Sequence, residues 1–95
     1  TAIAEVELRP VTGDDYGDVL VVTPQERRVF GSRTKAVSFA RSEGRRIVRE
    51  RALARGACGE LEIHEERIHN EAPMGYGMIW LGDTLRFTAS GSSRQ

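Results

Sequence analysis

The sequence has little cysteine: Cys58 is the single thiol in 95 residues. One thiol excludes an internal disulfide framework and a zinc site built from several cysteines, and it is typical of proteins in a reducing compartment. No apolar run approaches the ~20 residues that a membrane-spanning helix needs, and no basic-then-apolar leader opens the chain. These absences predict a cytoplasmic protein without a membrane partner.

Net charge is also lacking, because 14 basic residues balance 14 acidic ones. The total therefore gives no reason to expect a nucleic acid, a membrane surface or an acidic substrate. The charges are nevertheless segregated along the chain. Residues 27–55 contain ten basic and two acidic side chains, a net charge of +8, and the two flanks together carry −8.

The first part of the chain predicts β-structure. In TAIAEVELRP (1–10) apolar and charged residues alternate with the period of two that marks a half-buried strand. VTGDDYGD (11–18) predicts a turn, and the valine-rich segments DVLVVTP (18–24) and RVFGS (28–32) predict a hairpin.

One long helix is expected from Thr34 to Arg55, with Thr34 as its N-cap and Gly56 after its end. At about 100° per residue, its small and apolar side chains share a stripe about 120° wide, which we expect to pack on the sheet. Gly44 lies inside this stripe. It therefore marks either a close approach of helix and sheet or a point where the helix breaks.

Two more hairpins are expected after the helix. One is expected from ELEIHEERIHNE (60–71), with its turn at Glu65–Glu66. The other is expected from MIWLGDTLRFT (78–88), with its turn at Gly82–Asp83. The second turn would place Trp80 opposite Leu85.

These elements together predict an α+β fold: an antiparallel sheet of six or seven short strands with one long helix across one face. Residues 1–89 would form a single domain, and the small, polar residues 90–95 would form a disordered tail.

The runs TKAVSFARSEG (34–44) and GELEIHEERIHNEAPMGYG (59–77) are similar to a family of small uncharacterised bacterial and phage-borne proteins with hairpin, helix, hairpin order. The similarity rests on Thr34-Lys35-Ala36 at the helix start, on Glu60 to His64 and Arg67-Ile68 in the following segment, and on Gly75 to Gly77. The family has no assigned activity, so the resemblance implies a fold and no chemistry.

Arginines at intervals of four are the main candidate site. Arg41, Arg45 and Arg49 would stack on the helix face opposite the apolar stripe, with Arg46 beside them. Guanidinium groups match carboxylate and phosphate oxygens, so this face suits an acidic protein surface or a nucleic acid. Two alternatives remain open: a solvated face trimmed by an Arg46–Glu50 pair, or arginines that reach acidic strands of their own sheet.

Arg27, Arg28 and Arg33, just before the helix, would extend the same binding surface. Aromatic residues interleaved with basic ones would favour single-stranded nucleic acid, but Phe39 is the one candidate near the helix. We therefore expect an anionic macromolecular partner, with weaker support for nucleic acid in particular.

Two histidines suggest a different chemistry. In the hairpin expected at 60–71, His64 and His69 would lie diagonally on one face with Glu62 opposite His69, a set that could hold zinc or accept a proton. A diagonal pair of this kind is common by accident. Cys58 has no histidine at a known catalytic spacing, and Ser32 does not lie in a nucleophile elbow.

The sequence thus predicts a small non-enzymatic interaction protein without a cofactor, of a size suited to a phage-encoded inhibitor or adaptor. It would bind an acidic protein or nucleic acid through its arginine-rich helix face. A metal-dependent enzyme that uses Glu62, His64 and His69 is one alternative. Another is self-association, as a possible homodimer, through sheet edges at 3–8 or 84–88.

Overall fold

The computed structural model describes residues 1–11 and 17–93, which form five strands and one helix. In chain order these are β1 (Ala2–Pro10), β2 (Val19–Val22), β3 (Arg27–Phe30), α1 (Arg33–Ala54), β4 (Ala57–Met74) and β5 (Gly77–Ser93). The strands make one antiparallel sheet in the order β3-β2-β1-β5-β4, and α1 packs on one of its faces. The predicted α+β class is confirmed, with five strands in place of six or seven.

The strand count is lower because β4 and β5 are each continuous. The turns predicted at Glu65–Glu66 and Gly82–Asp83 are wrong, since both positions lie inside long strands. The chain turns instead at Gly75–Tyr76, between the paired residues Met74 and Gly77. Gly75 has a φ of 63°, as a glycine in the first central position of a two-residue hairpin turn requires. Trp80 and Leu85 accordingly lie along one strand.

Gly82 marks a β-bulge. Asn70 pairs with Gly82 and the next residue of β4 pairs with Trp80, so Leu81 is an extra residue on β5. Gly82 has a φ of 126°, and a Cβ there would lie 2.5 Å from the carbonyl oxygen of Leu8. A side chain at this position would therefore clash with β1.

The core lies between α1 and the helix-facing side of the sheet. At Gly44 the helix approaches the sheet closely, because a Cβ added there would lie 2.1 Å from Cε2 of Phe87. The helix continues through Gly44 without a break, which confirms the close-approach interpretation. The buried apolar residues of the two layers are Ala2, Ala4, Val6, Leu8, Val19, Val21, Ala36, Ala40, Ile47, Val48, Ala52, Trp80, Leu85, Phe87 and Ala89.

The helix begins slightly earlier than predicted. Ser32, not Thr34, is the N-cap, because its backbone is extended and its hydroxyl accepts a hydrogen bond from the Lys35 backbone N–H at 3.3 Å. The helix ends at Ala54, and Gly56 follows with a φ of 92°. Within the described residues, no helix is both long and apolar enough to cross a membrane.

The last two strands reach beyond the rest of the sheet. β1 pairs with β5 only from Ala2–Ala89 to Leu8–Asp83, and past this point β4 and β5 continue as a two-stranded ribbon. We call residues 70–81 the arm. At the end of the sheet away from the arm, β5 extends to Ser93. Residues 90–93 therefore form strand, where a disordered tail is predicted. Residues 94–95 and most of the turn predicted at 11–18 lie outside the described residues.

The sheet edges differ from those expected for self-association. Residues 84–88 of β5 lie between β1 and β4, so they present no free edge. Residues 3–6 of β1 pair with β5 alone, but the side chains of Arg51 and Arg55 donate to the carbonyl oxygens of Ile3 and Thr1 at 2.8 and 2.7 Å. The outer strands of the sheet are β3 and β4.

Candidate functional site

Exposed cations lie along the outer side of α1. At about 100° per residue, Lys35, Arg45 and Arg49 fall within about 80° of one another, and all three are exposed. Their side chains form no ion pair or hydrogen bond with residues 1–11 or 17–93. We call these three residues the basic ridge. A ridge of this kind keeps its full positive charge available to a partner.

Arg41 belongs to the molecule's own packing. Its Nε donates to both carboxylate oxygens of Glu65 on β4, at 3.1 and 3.0 Å, and its side chain is 50% exposed. Glu65 pairs with Phe87, so it lies on the sheet face that α1 covers. This contact realises the alternative in which a helix arginine reaches an acidic strand of its own sheet.

Arg46 is also engaged, in a network on the helix surface. It contacts Glu43 at 3.0 Å and Glu50 at 3.1 Å, and it donates to the side-chain oxygen of Gln25 at 2.7 Å. Hydrogen bonding to Glu43 is the largest cause that raises the pKa of Arg46, and the same bond lowers the pKa of Glu43. The predicted Arg46–Glu50 pair is therefore present, within a larger cluster.

The arginines before the helix do not extend the ridge as one surface. Arg28 pairs with Glu26 at 3.2 Å and lies over the ring of Phe39, with 4.6 Å between its Cζ and the ring centroid. Arg33 lies over the ring of Trp80 at 3.9 Å. Arg27 pairs with Val22 in the sheet and points away from α1. These three arginines therefore have different contacts and do not form one surface with the ridge.

Phe39 is not available for base stacking. It is half-buried, and its ring packs against that of Phe30 with 5.0 Å between the centroids. Arg28 covers it further. Among the described residues of the helix, no exposed aromatic ring therefore lies beside the basic ridge.

The two histidines lie on opposite sheet faces. They are five residues apart in one uninterrupted stretch of β4, where His64 pairs with Thr88 and His69 with Asp83. Glu62 approaches His64 at 3.9 Å, on the face away from α1. The set Glu62, His64 and His69 is not assembled, because the hairpin that would have joined its members is a single strand. No cluster of three or more potential metal ligands occurs among the side chains that the structure describes.

His69 instead joins a polar cluster that the sequence does not reveal. The Asp83 side chain is buried and accepts from Trp80 Nε1 at 3.0 Å and from Arg67 Nε at 2.8 Å. Its other near neighbour is Nδ1 of His69, at 2.7 Å, and Nε2 of the same ring lies 3.1 Å from Glu71. These contacts join both strands at the base of the arm.

The cluster also changes the proton affinity of its members. Burial on its own would raise the pKa of Asp83, but hydrogen bonds from Trp80, Arg67 and His69 outweigh it and lower that pKa. Hydrogen bonding to Asp83, followed by that to Glu71, raises the pKa of His69. A protonated imidazole is thereby favoured between the two carboxylates.

The remaining candidate residues have ordinary places. Ser32 caps α1, and Cys58 is an exposed thiol at the start of β4. The Gly75-Tyr76-Gly77 run forms the tip of the arm. No protein-family model, curated protein or solved structure matches the chain.

Proposed function

We propose that this protein is a non-enzymatic interaction protein, acting in the cytoplasm as an inhibitor or adaptor, that binds an acidic macromolecular partner through the basic ridge of α1. The ridge is narrower than the seven arginines named from the sequence, because Arg28, Arg33, Arg41 and Arg46 have contacts within the chain. Lys35, Arg45 and Arg49 carry the proposal.

The single supporting observation is the contrast between neighbours on one helix. Arg41 and Arg46 are held by Glu65 and Glu43, whereas Arg45 and Arg49 lie exposed, one turn apart, without an ion pair to any described residue. Unpaired guanidinium groups can form bidentate contacts with carboxylates, and their planar fork loses less side-chain entropy per hydrogen bond than a lysine does.

An acidic protein surface fits the ridge better than single-stranded nucleic acid. Proteins that bind single strands combine cations with exposed aromatic rings on which bases stack. Phe39 is packed against Phe30 and covered by Arg28, so it cannot serve in this way. Carboxylates from a partner helix or strand would need only the cations that the ridge supplies.

The test compares two double charge reversals on opposite faces of the molecule. Arg45→Glu with Arg49→Glu reverses two of the three charges of the ridge. Arg9→Glu with Arg27→Glu makes the same change of net charge on the sheet face away from α1. Retention of each protein would be measured on immobilised polyglutamate, on a DNA duplex and on a DNA single strand, together with its thermal stability.

We expect the ridge variant to bind polyglutamate about tenfold more weakly or worse, with its free energy of unfolding within about 0.5 kcal/mol of the parent. The control should bind like the parent. Retention on duplex DNA with a steep loss between about 50 and 200 mM salt, and none on polyglutamate, would change the partner class to nucleic acid. Equal weakening in both variants would show that net charge, not the ridge, governs binding.

A further inference from the structure

The arm is the least charged part of the chain. The longest run of the chain without a charged residue is APMGYGMIWLG, residues 72–82, which includes most of the arm. Beyond Trp80, toward the tip, the ribbon has neither helix nor sheet against it in the described residues, and the large side chains of Met74, Tyr76 and Met78 are exposed there. Leu81, at the bulge, is a fourth exposed apolar residue of the arm. Exposed apolar groups this close together mark interaction surfaces in folded proteins.

The long outer edge of β4 is protected against pairing. It carries glutamates along most of its length, and Pro73, which has no N–H to donate, lies near its end in the arm. Charged side chains and prolines are the usual means by which a protein prevents an edge strand from pairing with another chain. The protecting residues are Glu60, Glu62, Glu66, Glu71 and Pro73.

Other unpaired backbone is protected as well. β2 pairs with β1 only at residues 7–10, which leaves the first residues of the chain without a second strand of the described sheet. There the carbonyl oxygens of Thr1 and Ile3 accept hydrogen bonds from Arg55 and Arg51. At the opposite side of the sheet, β3 is only four residues long and begins with two arginines. Short length and charge both discourage strand addition.

Among the described residues, the β5 edge of the arm has none of these protections. β1 leaves β5 after the Leu8–Asp83 pair, so residues 77–81 pair with β4 and with no second strand of the described sheet. This segment contains no charge and no proline. It follows a turn whose Tyr76 is fully exposed.

We propose that residues 77–81 of β5 pair antiparallel with the same segment of a second copy of this chain, so that two arms form a four-stranded sheet across a two-fold axis. An uncharged edge is complementary to itself, since no like charges face each other at the axis. A tyrosine alone buries roughly 150–250 Å², so the exposed apolar side chains of two paired arms would contribute several hundred Å² toward the order of 1,000 Å² that a specific interface needs. The ridge plays no part in this contact.

The experiment measures the molar mass of the full chain by sedimentation equilibrium from about 1 µM to 1 mM. Met78→Lys places a charge on the pairing edge. Leu53→Lys is the matched control, because Leu53 on α1 and Met78 are both 51% exposed. Tyr76→Ser at the arm tip is a second test variant, and circular dichroism verifies that every variant is folded.

We expect a dimer for the parent and for Leu53→Lys, and a dissociation constant at least about tenfold weaker for Met78→Lys and Tyr76→Ser. Since the contact is apolar, raising salt should leave the dimer intact, and the Arg45→Glu, Arg49→Glu variant should still dimerise. A parent that stays monomeric throughout the range, a dimer that survives Met78→Lys and Tyr76→Ser, or one lost in Leu53→Lys would overturn the proposal. None of these outcomes bears on ridge binding, so the two proposals fail separately.

Discussion

At the scale of single residues, Asp83 is the buried charged residue among those that the structure describes. Its residue is 2% exposed, and its carboxylate contacts groups from both strands of the arm base. A buried carboxylate is stable only when its oxygens are well provided with donors, and Trp80, Arg67 and His69 provide them. The arm is therefore fixed to the body of the sheet by a charge that cannot be removed without leaving donors unsatisfied.

The pH dependence of stability should report on the Asp83–His69 contact. The pKa of His69 is raised in the folded protein by Asp83 and Glu71, so protonated His69 stabilises the fold fully below the unfolded pKa of about 6.5. This contribution is lost as the pH rises through the higher folded pKa. We expect the difference in unfolding free energy between the parent and His69→Gln to shrink as the pH is raised from 6 through the folded pKa.

Nuclear magnetic resonance titration of the His69 ring checks the cause directly. Its pKa should lie above that of a free histidine in the parent and should fall in Asp83→Asn, which keeps the shape of the side chain and removes its charge. An unchanged His69 pKa in Asp83→Asn would show that the carboxylate does not hold the proton there.

At the scale of elements, the contact between α1 and β5 limits which residue can occupy position 44. Alanine is a better helix former than glycine by about 1 kcal/mol, yet a Cβ at Gly44 would overlap the ring of Phe87. We expect Gly44→Ala to lower the free energy of unfolding by about 1–3 kcal/mol through overpacking, as measured by urea denaturation. Ser42→Ala on the exposed side of the same helix should be neutral or slightly stabilising.

A double-mutant cycle identifies the clash. Phe87→Leu leaves a smaller side chain under the helix, so the combination with Gly44→Ala should cost less than the two single changes added together. Additive costs would mean that the helix moves away from β5 as a body, and the tight contact at Gly44 would not be decisive.

The helix could be predicted from the sequence because an apolar stripe repeated over 22 residues has no other simple interpretation. The lengths of the strands could not be predicted from the sequence. Glu65 interrupts the alternation expected of a strand because it faces α1 and pairs with Arg41, a contact 24 residues away in the chain. A glycine such as Gly82 suits a hairpin turn and a bulge alike, and only the pairing with Asn70 decides between them.

The same limit applies to the candidate sites. Spacing places Arg45 and Arg49 one turn apart on the outer helix surface, as they are, because helix geometry is local. It cannot show that Arg41 is bound by Glu65 or that Arg27 points to the other sheet face, since both depend on strand register. The burial of Asp83 beside His69 also depends on strand register, so spacing does not show it.

At the scale of the whole molecule, the segregation of charge along the chain has an internal use. The basic helix packs beside β4, whose charged side chains are mostly glutamates, and Arg41 and Glu65 form an ion pair between the two elements. Attraction between these elements should weaken as salt screens it, because the pair is partly exposed. Part of the +8 on the central segment is thus neutralised within the fold.

Charge exchange at this contact measures that attraction. Arg41→Glu or Glu65→Arg alone should lower the free energy of unfolding by about 0.5–1 kcal/mol at low salt. The double exchange should recover most of this loss, because a carboxylate on α1 then faces a guanidinium group on β4. The recovery should fade in about 1 M salt, where the screening length is about 3 Å. A coupling near zero at low salt would mean that Glu65 does not hold Arg41, and Arg41 would then join Arg45 and Arg49 as a cation available to the partner.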